Sequence, residues 1–325
     1  MPTLLVSPAF LRRYSTAIQD AWPGIEPIVL PSNGDERLDP ATLERVDYAY
    51  FSGDIFPTHS RAFFAAVQGA PNLKWMHVFN AGVDAPVFLR LLERGIRLTT
   101  SAGSTAQPIA QSAIGGMLML ARPFLTWLEA QRRHSWEPIQ GGTIPPDLAG
   151  QRMTVIGLGA IGSEIARIAG AIGLQVTGVR RSPPRDGDPV EVIVPPSSLP
   201  AIVPETDWLV VACPLTEETR GLVSRDLLGR LKPGAKVINI GRGEVIDEPA
   251  LIDALRSGQV GGAYLDVVSQ EPLPPESPLW DLPNVIISPH NSAVAQGNEG
   301  RATEYFLENL RRLAKGQELV NEVAK

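Results

Sequence analysis

Three stretches of the sequence each end an apolar run on charged or titratable side chains. They are VINIGRGEVID with Arg242, AYLDVVSQEPLP with Asp266 and Glu271, and VIISPHNSA with His290. Side chains of these types bind anions and transfer protons, although a histidine by itself is more often structural. Because the carboxyl ends of parallel strands form the ligand crevice of an open sheet, we expect the three stretches to converge on one site.

A glycine-rich segment upstream predicts a dinucleotide site. In MTVIGLGAIGSEIARIAGAIG, three glycines form a G-x-G-x-x-G arrangement after a strand pattern and before a helix pattern. The first glycine permits a tight turn, the second lets pyrophosphate approach the backbone, and the third lets helix and strand pack closely. The helix N-terminus then offers free N–H groups to the phosphates. The alternative is a glycine-rich turn without a ligand. We predict cofactor contacts from Gly157, Leu158, Gly159, Ala160, Ile161 and Gly162.

The residues after the second strand of this segment indicate which nucleotide is used. An acidic residue that holds the adenosine ribose is expected about 20 residues beyond the first glycine. Arg180 and Arg181 stand there instead, followed by Ser182. A guanidinium group matches a 2′-phosphate in shape and charge, so this pair predicts NADP in preference to NAD. The alternative is two solvated arginines offset by Asp186 and Asp188.

Alternating strand and helix patterns surround these motifs. The first hundred residues show strand patterns at TLLVS, 28–30, 48–53, 73–79 and IRLTT, with helix patterns between them. From residue 152 the alternation restarts, with strands near 153–157, 175–179, 208–212, 236–240, 261–266 and 285–288. A long helix is predicted over 108–134. Such alternation indicates parallel sheets covered on both faces, hence a two-lobed α/β protein.

Composition excludes several classes of function. The chain has 325 residues, enough for two domains, and a formal net charge of −6, which does not suit a nucleic-acid partner. Its apolar stretches are too short to span a membrane. The single cysteine, Cys213, permits no internal disulfide and favours a reducing, cytoplasmic location. The four histidines show no metal-ligand spacing, and His77 is interpreted as a hydrogen-bonded core residue.

The motifs resemble the D-isomer-specific 2-hydroxyacid dehydrogenases. The resemblance extends over about the last two-thirds of the chain, including PLTEETRGLVS, LKPGAKVINIGRG and SPLWDLPNVIISPH, with NAGVD at 80–84 the clearest earlier match. Arg242 lies 29 residues before Glu271, and Glu271 lies 19 before His290, as in that family. Two departures are Gln111, where the family usually has a glutamate, and the SPHNSA segment around His290.

The resemblance implies a role for each residue. His290 is the acid–base that protonates the carbonyl oxygen during reduction, and Glu271 orients it and favours its protonated form. Arg242 clamps the substrate carboxylate. The other side of that carboxylate meets backbone N–H groups of Ala81, Gly82 and Val83. Asp266 receives the nicotinamide carboxamide. Further cofactor contacts are expected from Cys213, Pro214, Thr219, Ile240, Gly241, His290 and Ser292.

The same resemblance implies a fold and an assembly. A Rossmann-type doubly wound parallel sheet, residues 102–293, is inserted into a smaller flavodoxin-like α/β substrate domain built from 1–101 and 294–325. The apolar face of 108–134 suits a homodimer interface, although an internal core helix would show the same pattern. Trp136 and Trp280 are interpreted as packing residues, with a substrate contact from a partner's Trp136 as the alternative.

The predicted function is NADPH-dependent reduction of a small 2-oxoacid, such as glyoxylate or hydroxypyruvate, to the D-2-hydroxy acid. One alternative is an NAD-dependent phosphoglycerate- or D-lactate-type dehydrogenase. A formate dehydrogenase is disfavoured because that branch typically has glutamine where Glu271 stands. The alternative from another class is a cofactor-sensing, corepressor-like binding protein, which would need no turnover.

Overall fold

The computed structural model describes residues 1–31, 33, 36–83, 85–139 and 144–323. It divides the chain into two compact units. The first combines Met1–Thr105 with Ala295–Lys325, and the second is Ala106–Val294. The assignment of substrate to the first unit and of cofactor to the second stays a prediction.

The first unit is a parallel sheet of five strands with helices on both faces. Its strand order is β2-β1-β3-β4-β5, the flavodoxin-like order. The strands are β1 Thr3–Val6, β2 Glu26–Val29, β3 Tyr48–Phe51, β4 Trp75–Val78 and β5 Arg97–Thr100. The helices are α1 Pro8–Ala21, α2 Pro40–Glu44, α3 Ser60–Gly69, α4 Pro86–Glu93 and α11 Asn298–Ala314.

The sheet of the first unit is buried on both faces. Leu5 and Val78 pack on one face, whereas Leu4 and Trp75 pack on the other, as the two-residue period of a strand requires. The second face is covered by α1 and α11, and Phe306 of α11 stacks on Tyr50 with ring centroids 4.2 Å apart. The C-terminal helix therefore belongs to the core of the first unit.

A buried polar chain crosses the same sheet. Trp75 Nε1 donates to Thr99 Oγ1 at 2.9 Å, and Thr99 Oγ1 lies 2.7 Å from His77 Nδ1. His77 Nε2 lies 3.0 Å from Ser101 Oγ, which donates to the carbonyl of Val78 at 3.1 Å. The interpretation of His77 as a hydrogen-bonded core residue is confirmed.

The second unit is a parallel sheet of seven strands. Its order is β12-β11-β10-β9-β6-β7-β8, which is the Rossmann order with one strand added. The strands are β6 Arg152–Ile156, β7 Gln175–Val179, β8 Val192–Val194, β9 Trp208–Val211, β10 Ala235–Asn239, β11 Val260–Leu265 and β12 Val285–Ile287. The predicted fold class is confirmed in both units. The edge strand β8 was not predicted, because it has only three residues and they carry no periodic signal.

The helices of this unit differ from the prediction at one place, the region 108–134. They are α5 Ala106–Ala121, α6 Phe124–Arg132, α7 Ala160–Ala171, α8 Leu199–Ile202, α9 Arg225–Arg230 and α10 Glu248–Ser257. The single helix predicted over 108–134 is wrong, because Pro123 cannot donate a helical hydrogen bond and the helix restarts after it. The α5 half packs into the core with Tyr264, whereas α6 exposes apolar side chains. No helix in the described ranges is both long and apolar enough to cross a membrane.

Candidate active site

Three neighbouring strands bring the predicted catalytic segments to one edge of the second sheet. In register, Asn239 of β10 pairs with Leu265 of β11, and Leu265 pairs with Ile287 of β12. Arg242, Asp266 and His290 follow these three strand ends. The convergence expected from the sequence is therefore present within this sheet.

His290 and Glu271 form a direct pair. His290 Nδ1 lies 2.7 Å from Glu271 Oε2, and Glu271 Oε1 accepts from the backbone N–H of Val268 at 3.3 Å. An ionised carboxylate can only accept, so His290 Nδ1 carries the hydrogen of this bond. Nε2 is then the ring nitrogen left to exchange a proton with a ligand. The arrangement is that of an oriented acid–base group.

The backbone of His290 is held in an unusual conformation. Its φ is +53°, in the left-handed region that residues other than glycine seldom adopt. Its N–H lies 2.8 Å from the carbonyls of both Asp266 and Ser288. Backbone strain of this kind costs roughly 1–3 kcal/mol and concentrates at functional sites.

Asp266 ties the end of β11 to the segment that follows β12. Its Oδ1 accepts from Ser288 Oγ at 2.6 Å and from the N–H groups of Asn291 and Ser292 at 3.0 and 2.9 Å. Its Oδ2 accepts from the hydroxyl of Ser292. The Ser292 hydroxyl thus donates its hydrogen to a group of the protein itself. One acceptor position on Oδ2 remains for an amide donor, which leaves the expected carboxamide contact feasible.

Arg242 is followed by a glycine that packs against the segment leading to Glu271. The Arg242 side chain is exposed, and its Nη1 donates to the carbonyl of Gly241 at 2.7 Å. The next residue, Gly243, is so close to the neighbouring chain that a Cβ there would lie 2.0 Å from the carbonyl carbon of Val268. The packing role of Gly243 was not predicted from the sequence. The Gly-Arg-Gly triplet at 241–243 was the only signal that could have indicated it. This contact places the segment that carries Arg242 against the backbone of Val268 and Ser269, shortly before Glu271.

The glycine loop has the geometry that a dinucleotide requires. Gly157 has φ +97°, and a Cβ on Gly162 would lie 1.9 Å from the carbonyl oxygen of Gly157. By contrast, a Cβ on Gly159 would meet nothing within 4 Å, so this face of the backbone is open to a ligand. Ala160 begins α7 there, whose first N–H groups lack helical partners. The loop fits the pyrophosphate of a dinucleotide.

Further predicted cofactor residues follow β9 and β10, the next two strands of the sheet on one side of β6. Cys213 is buried after β9, and a Cβ on Gly241 would lie 2.7 Å from its carbonyl oxygen. Thr219 Oγ1 donates to the carbonyl of Pro214 at 2.7 Å, and Ile240 is buried after β10. Burial raises the pKa of the Cys213 thiol, which agrees with a wall residue rather than a nucleophile.

Comparison with known proteins identifies the family. Residues 114–292 match the family described as D-isomer specific 2-hydroxyacid dehydrogenase, NAD binding domain. A glyoxylate/hydroxypyruvate reductase A of Arabidopsis thaliana is 34% identical over 261 residues, which cover 79% of this chain and 80% of the relative. The chain belongs to the D-isomer-specific 2-hydroxyacid dehydrogenase family. The resemblance inferred from the motifs and the prediction of an NAD(P)-dependent 2-hydroxyacid dehydrogenase are confirmed.

Solved structures of the family support the assignment over the whole chain. The D-isomer specific 2-hydroxyacid dehydrogenase of Xanthobacter autotrophicus Py2, in complex with NADPH and MES, is 33% identical with a TM-score of 0.75. The alignment covers 99% of this chain and 98% of that one. An NADPH-dependent glyoxylate/hydroxypyruvate reductase of Sinorhizobium meliloti, in complex with NADP and sulfate, is 28% identical with a TM-score of 0.72 over 99% and 98% of the chains.

The two arginines of this dehydrogenase differ sharply in their surroundings. Arg180 is 11% exposed, and its Nη1 and Nη2 each donate to the Asp188 carboxylate at 2.6 Å. Its Nε and Nη2 also donate to the carbonyls of Ser182 and Pro183. Arg181 is 76% exposed, and its Nη1 lies 3.0 Å from Glu218 Oε2. Protein groups therefore accept hydrogen bonds from most of the Arg180 N–H groups, whereas the Arg181 guanidinium is accessible to a ligand.

A cavity of about 430 Å³ adjoins the His290–Glu271 pair of the dehydrogenase. His290, Glu271 and Asp266 line it together with Leu273 and Trp280. Trp280 is half-exposed, and its Nε1 donates to the carbonyl of Pro274 at 3.0 Å. Its interpretation as a packing residue stays a prediction. The position of Trp280 beside the His290–Glu271 pair depends on the loop between β11 and β12, which no local pattern revealed.

The predicted substrate-binding backbone lies in the first unit. Ala81, Gly82 and Val83 follow β4, and the carbonyl of Gly82 accepts from Asn80 Nδ2 at 2.5 Å. The carbonyl of Asn80 accepts from the Ser101 N–H at 3.1 Å, which anchors the start of the segment to β5. Ala81 and Gly82 are exposed. Asp84, the last residue of the NAGVD motif, lies outside the described residues.

Proposed function

We propose that this dehydrogenase uses NADPH to reduce a small 2-oxoacid, glyoxylate or hydroxypyruvate in the first place, to the D-2-hydroxy acid. The observation that carries the proposal is the 2.7 Å contact between His290 and Glu271, in the same sheet as an open glycine loop. The names of several relatives support the substrate class, including a glyoxylate reductase of Korarchaeum cryptofilum that is 31% identical over 78% of both chains.

The proposed mechanism assigns each step to a side chain. Arg242 binds the substrate carboxylate and polarises the adjacent carbonyl, and the N–H groups of Ala81, Gly82 and Val83 are a further proposed contact with that carboxylate. His290 Nε2 gives a proton to the carbonyl oxygen, while Glu271 stabilises the imidazolium and keeps the ring oriented. When bound, the dinucleotide supplies the hydride that reduces the carbonyl carbon.

The cofactor is proposed to rest on the glycine loop and to be selected by Arg181. Arg180 uses four of its five N–H donors on Asp188, Ser182 and Pro183, so it holds the 182–188 segment in place. The pair between Arg181 and Glu218 is exposed on both sides, and exposed pairs contribute at most about 1 kcal/mol. A 2′-phosphate would displace Glu218 readily, because it carries more charge and matches the guanidinium geometry.

The test is a kinetic screen of 2-oxoacids with each nucleotide, read as loss of reduced nicotinamide absorbance. We expect kcat/KM with NADPH to exceed that with NADH for glyoxylate and hydroxypyruvate. A preference for NADH with phosphohydroxypyruvate or pyruvate would favour the NAD-dependent alternative. Binding of NADPH without reduction of any 2-oxoacid would contradict the enzyme proposal and favour the corepressor-like alternative.

We also propose that the protein acts as a homodimer that pairs through α6 and the residues after it. Trp127 and Trp136 are 42% and 95% exposed and line a groove of about 550 Å³. A second copy would bury this apolar surface, whose exposure is otherwise unfavourable. Sedimentation of the purified protein tests this directly. The Trp127→Glu, Trp136→Ser double variant should sediment as a monomer, and an unchanged dimer would place the interface elsewhere.

A further inference from the structure

Asp54, a residue outside the catalytic set, is fixed at the carboxyl edge of the first sheet. It follows β3, and its Oδ1 accepts from the hydroxyl of Ser52 at 2.6 Å. Its Oδ2 accepts from the hydroxyl of Ser7, which follows β1, at 2.5 Å. Both serines are buried, whereas Asp54 is exposed. The carboxylate therefore accepts hydrogen bonds from two buried hydroxyls and is still exposed to solvent.

This position is the topological switch point of the first unit. In the order β2-β1-β3-β4-β5, the chain leaves β1 toward one edge of the sheet and leaves β3 toward the other. Ligands of open α/β sheets bind outside the carboxyl ends of the strands at such a point. Asp54 bridges the ends of β1 and β3, so it lies where this topology favours a ligand.

The Asp54 carboxylate is oriented by its neighbours. Ser7 Oγ accepts from the N–H of Phe10 at 2.9 Å, which leaves its hydrogen for Asp54. The positive end of α1 begins at Ser7 and favours a negative charge there. Both side-chain partners of Asp54 are neutral hydroxyls, so they do not offset its charge. A ligand at this point would meet a preorganised hydrogen-bond acceptor with negative charge.

The proposed binding segment for the substrate carboxylate is nearby in the same unit. β3 and β4 are paired neighbours, and a Cβ on Gly53 would lie 3.7 Å from the ring of Phe79, where the 79–83 segment begins. Strand spacing of about 4.8 Å places the β1/β3 gap roughly 7 Å from the end of β4.

We propose that Asp54 is a specificity-determining residue that senses the side chain of the substrate. It accepts a hydrogen bond from a hydroxyl group on the substrate's third carbon, and it repels a second carboxylate. The inference rests on the proposed function, which it makes more specific: hydroxypyruvate is favoured over glyoxylate, and dicarboxylic 2-oxoacids are rejected.

The experiment compares Asp54→Asn with the unchanged enzyme on glyoxylate, hydroxypyruvate and 2-oxoglutarate, with NADPH throughout. We expect the ratio of kcat/KM for hydroxypyruvate over glyoxylate to fall about tenfold, because a charge-assisted hydrogen bond is lost. Activity on 2-oxoglutarate should rise relative to glyoxylate. Asp47→Asn is the matched control, since Asp47 accepts from Thr3 and Lys74 at the opposite end of β3 and should leave both ratios unchanged.

Asp54→Glu keeps the inference testable if the asparagine variant does not fold. It retains the charge and moves it by one methylene, so it should still reject 2-oxoglutarate while the hydroxypyruvate preference falls. Ratios within twofold of the unchanged enzyme in a folded Asp54 variant would overturn the role of Asp54 and leave the proposed function intact. Failure of the unchanged enzyme to reduce any 2-oxoacid would overturn both.

Discussion

His290 Nδ1 and Glu271 Oε2 are 2.7 Å apart although 19 residues separate them in the chain, and the carboxylate also accepts from the backbone of Val268. Glu271 is thus oriented by the main chain before it orients the imidazole. We expect Glu271→Gln to lower kcat about 10²-fold, because the amide cannot stabilise the imidazolium as a carboxylate does.

His290→Gln should reduce kcat further, since no group is left to transfer the proton. Steady-state kinetics on glyoxylate would measure both variants, and NADPH binding followed by fluorescence is the control. Unchanged kcat in either variant, with normal nucleotide binding, would remove the pair from the mechanism.

The glycine loop predicts opposite outcomes for two neighbouring alanine substitutions. Gly162→Ala should destabilise the protein by about 1–3 kcal/mol, because its Cβ would clash with the Gly157 carbonyl. The cost of this clash exceeds the gain in helix propensity that alanine brings. Gly159→Ala should cost only about 0.5 kcal/mol as a helix cap but weaken NADPH binding at least tenfold.

Gly170→Ala is the control in the same helix, where an added Cβ meets nothing within 4 Å and should be stabilising. Thermal unfolding and nucleotide titration separate the three variants. Normal NADPH affinity in Gly159→Ala would mean that the pyrophosphate does not approach this backbone.

We expect Arg181 to select the nucleotide and Arg180 to hold the 182–188 segment in place. Arg181→Gln should raise KM for NADPH at least tenfold and leave KM for NADH unchanged, because only the 2′-phosphate contact is lost. Arg180→Gln should weaken both nucleotides and lower the melting temperature, because the 182–188 segment loses its anchor on Asp188. KM values for both nucleotides would measure this. The reverse pattern would assign the phosphate to Arg180.

Buried His77 predicts a pH dependence of stability. Burial lowers the pKa of His77 to about 3, whereas an unfolded chain takes up this proton near pH 6.5. The folded-state pKa is the lower one, so the stability is fully present above pH 6.5 and falls as the pH drops toward 3. The slope approaches about 1.4 kcal/mol per pH unit.

His77→Gln should therefore lose about 2 kcal/mol less between pH 7.5 and pH 5.0 than the unchanged protein, measured by urea unfolding. His134→Gln, which removes an exposed histidine, is the control. Parallel pH profiles for His77→Gln and the unchanged protein would show that the imidazole accepts a proton in the folded state.

Local patterns in the sequence were sufficient for the two sheets apart from the edge strand β8, for the glycine loop and for the residue types at the strand ends. Alternation of strands and helices dictates parallel sheets, and the turn at Gly157 requires a conformation that glycine adopts without strain. The strand-end positions of Arg242, Asp266 and His290 follow from the same alternation, because parallel strands deliver their carboxyl ends to one edge.

Only the tertiary structure decided which partners these residues meet. Asp188 accepts hydrogen bonds from Arg180 while Arg181 stays accessible, and Trp280 lies beside the His290–Glu271 pair. Asp54 is held between the serines that follow β1 and β3. Each of these relationships depends on the path of a loop or on the order of strands in a sheet. A linear pattern specifies which side chains reach the edge of a sheet, but long-range packing determines which of them touch.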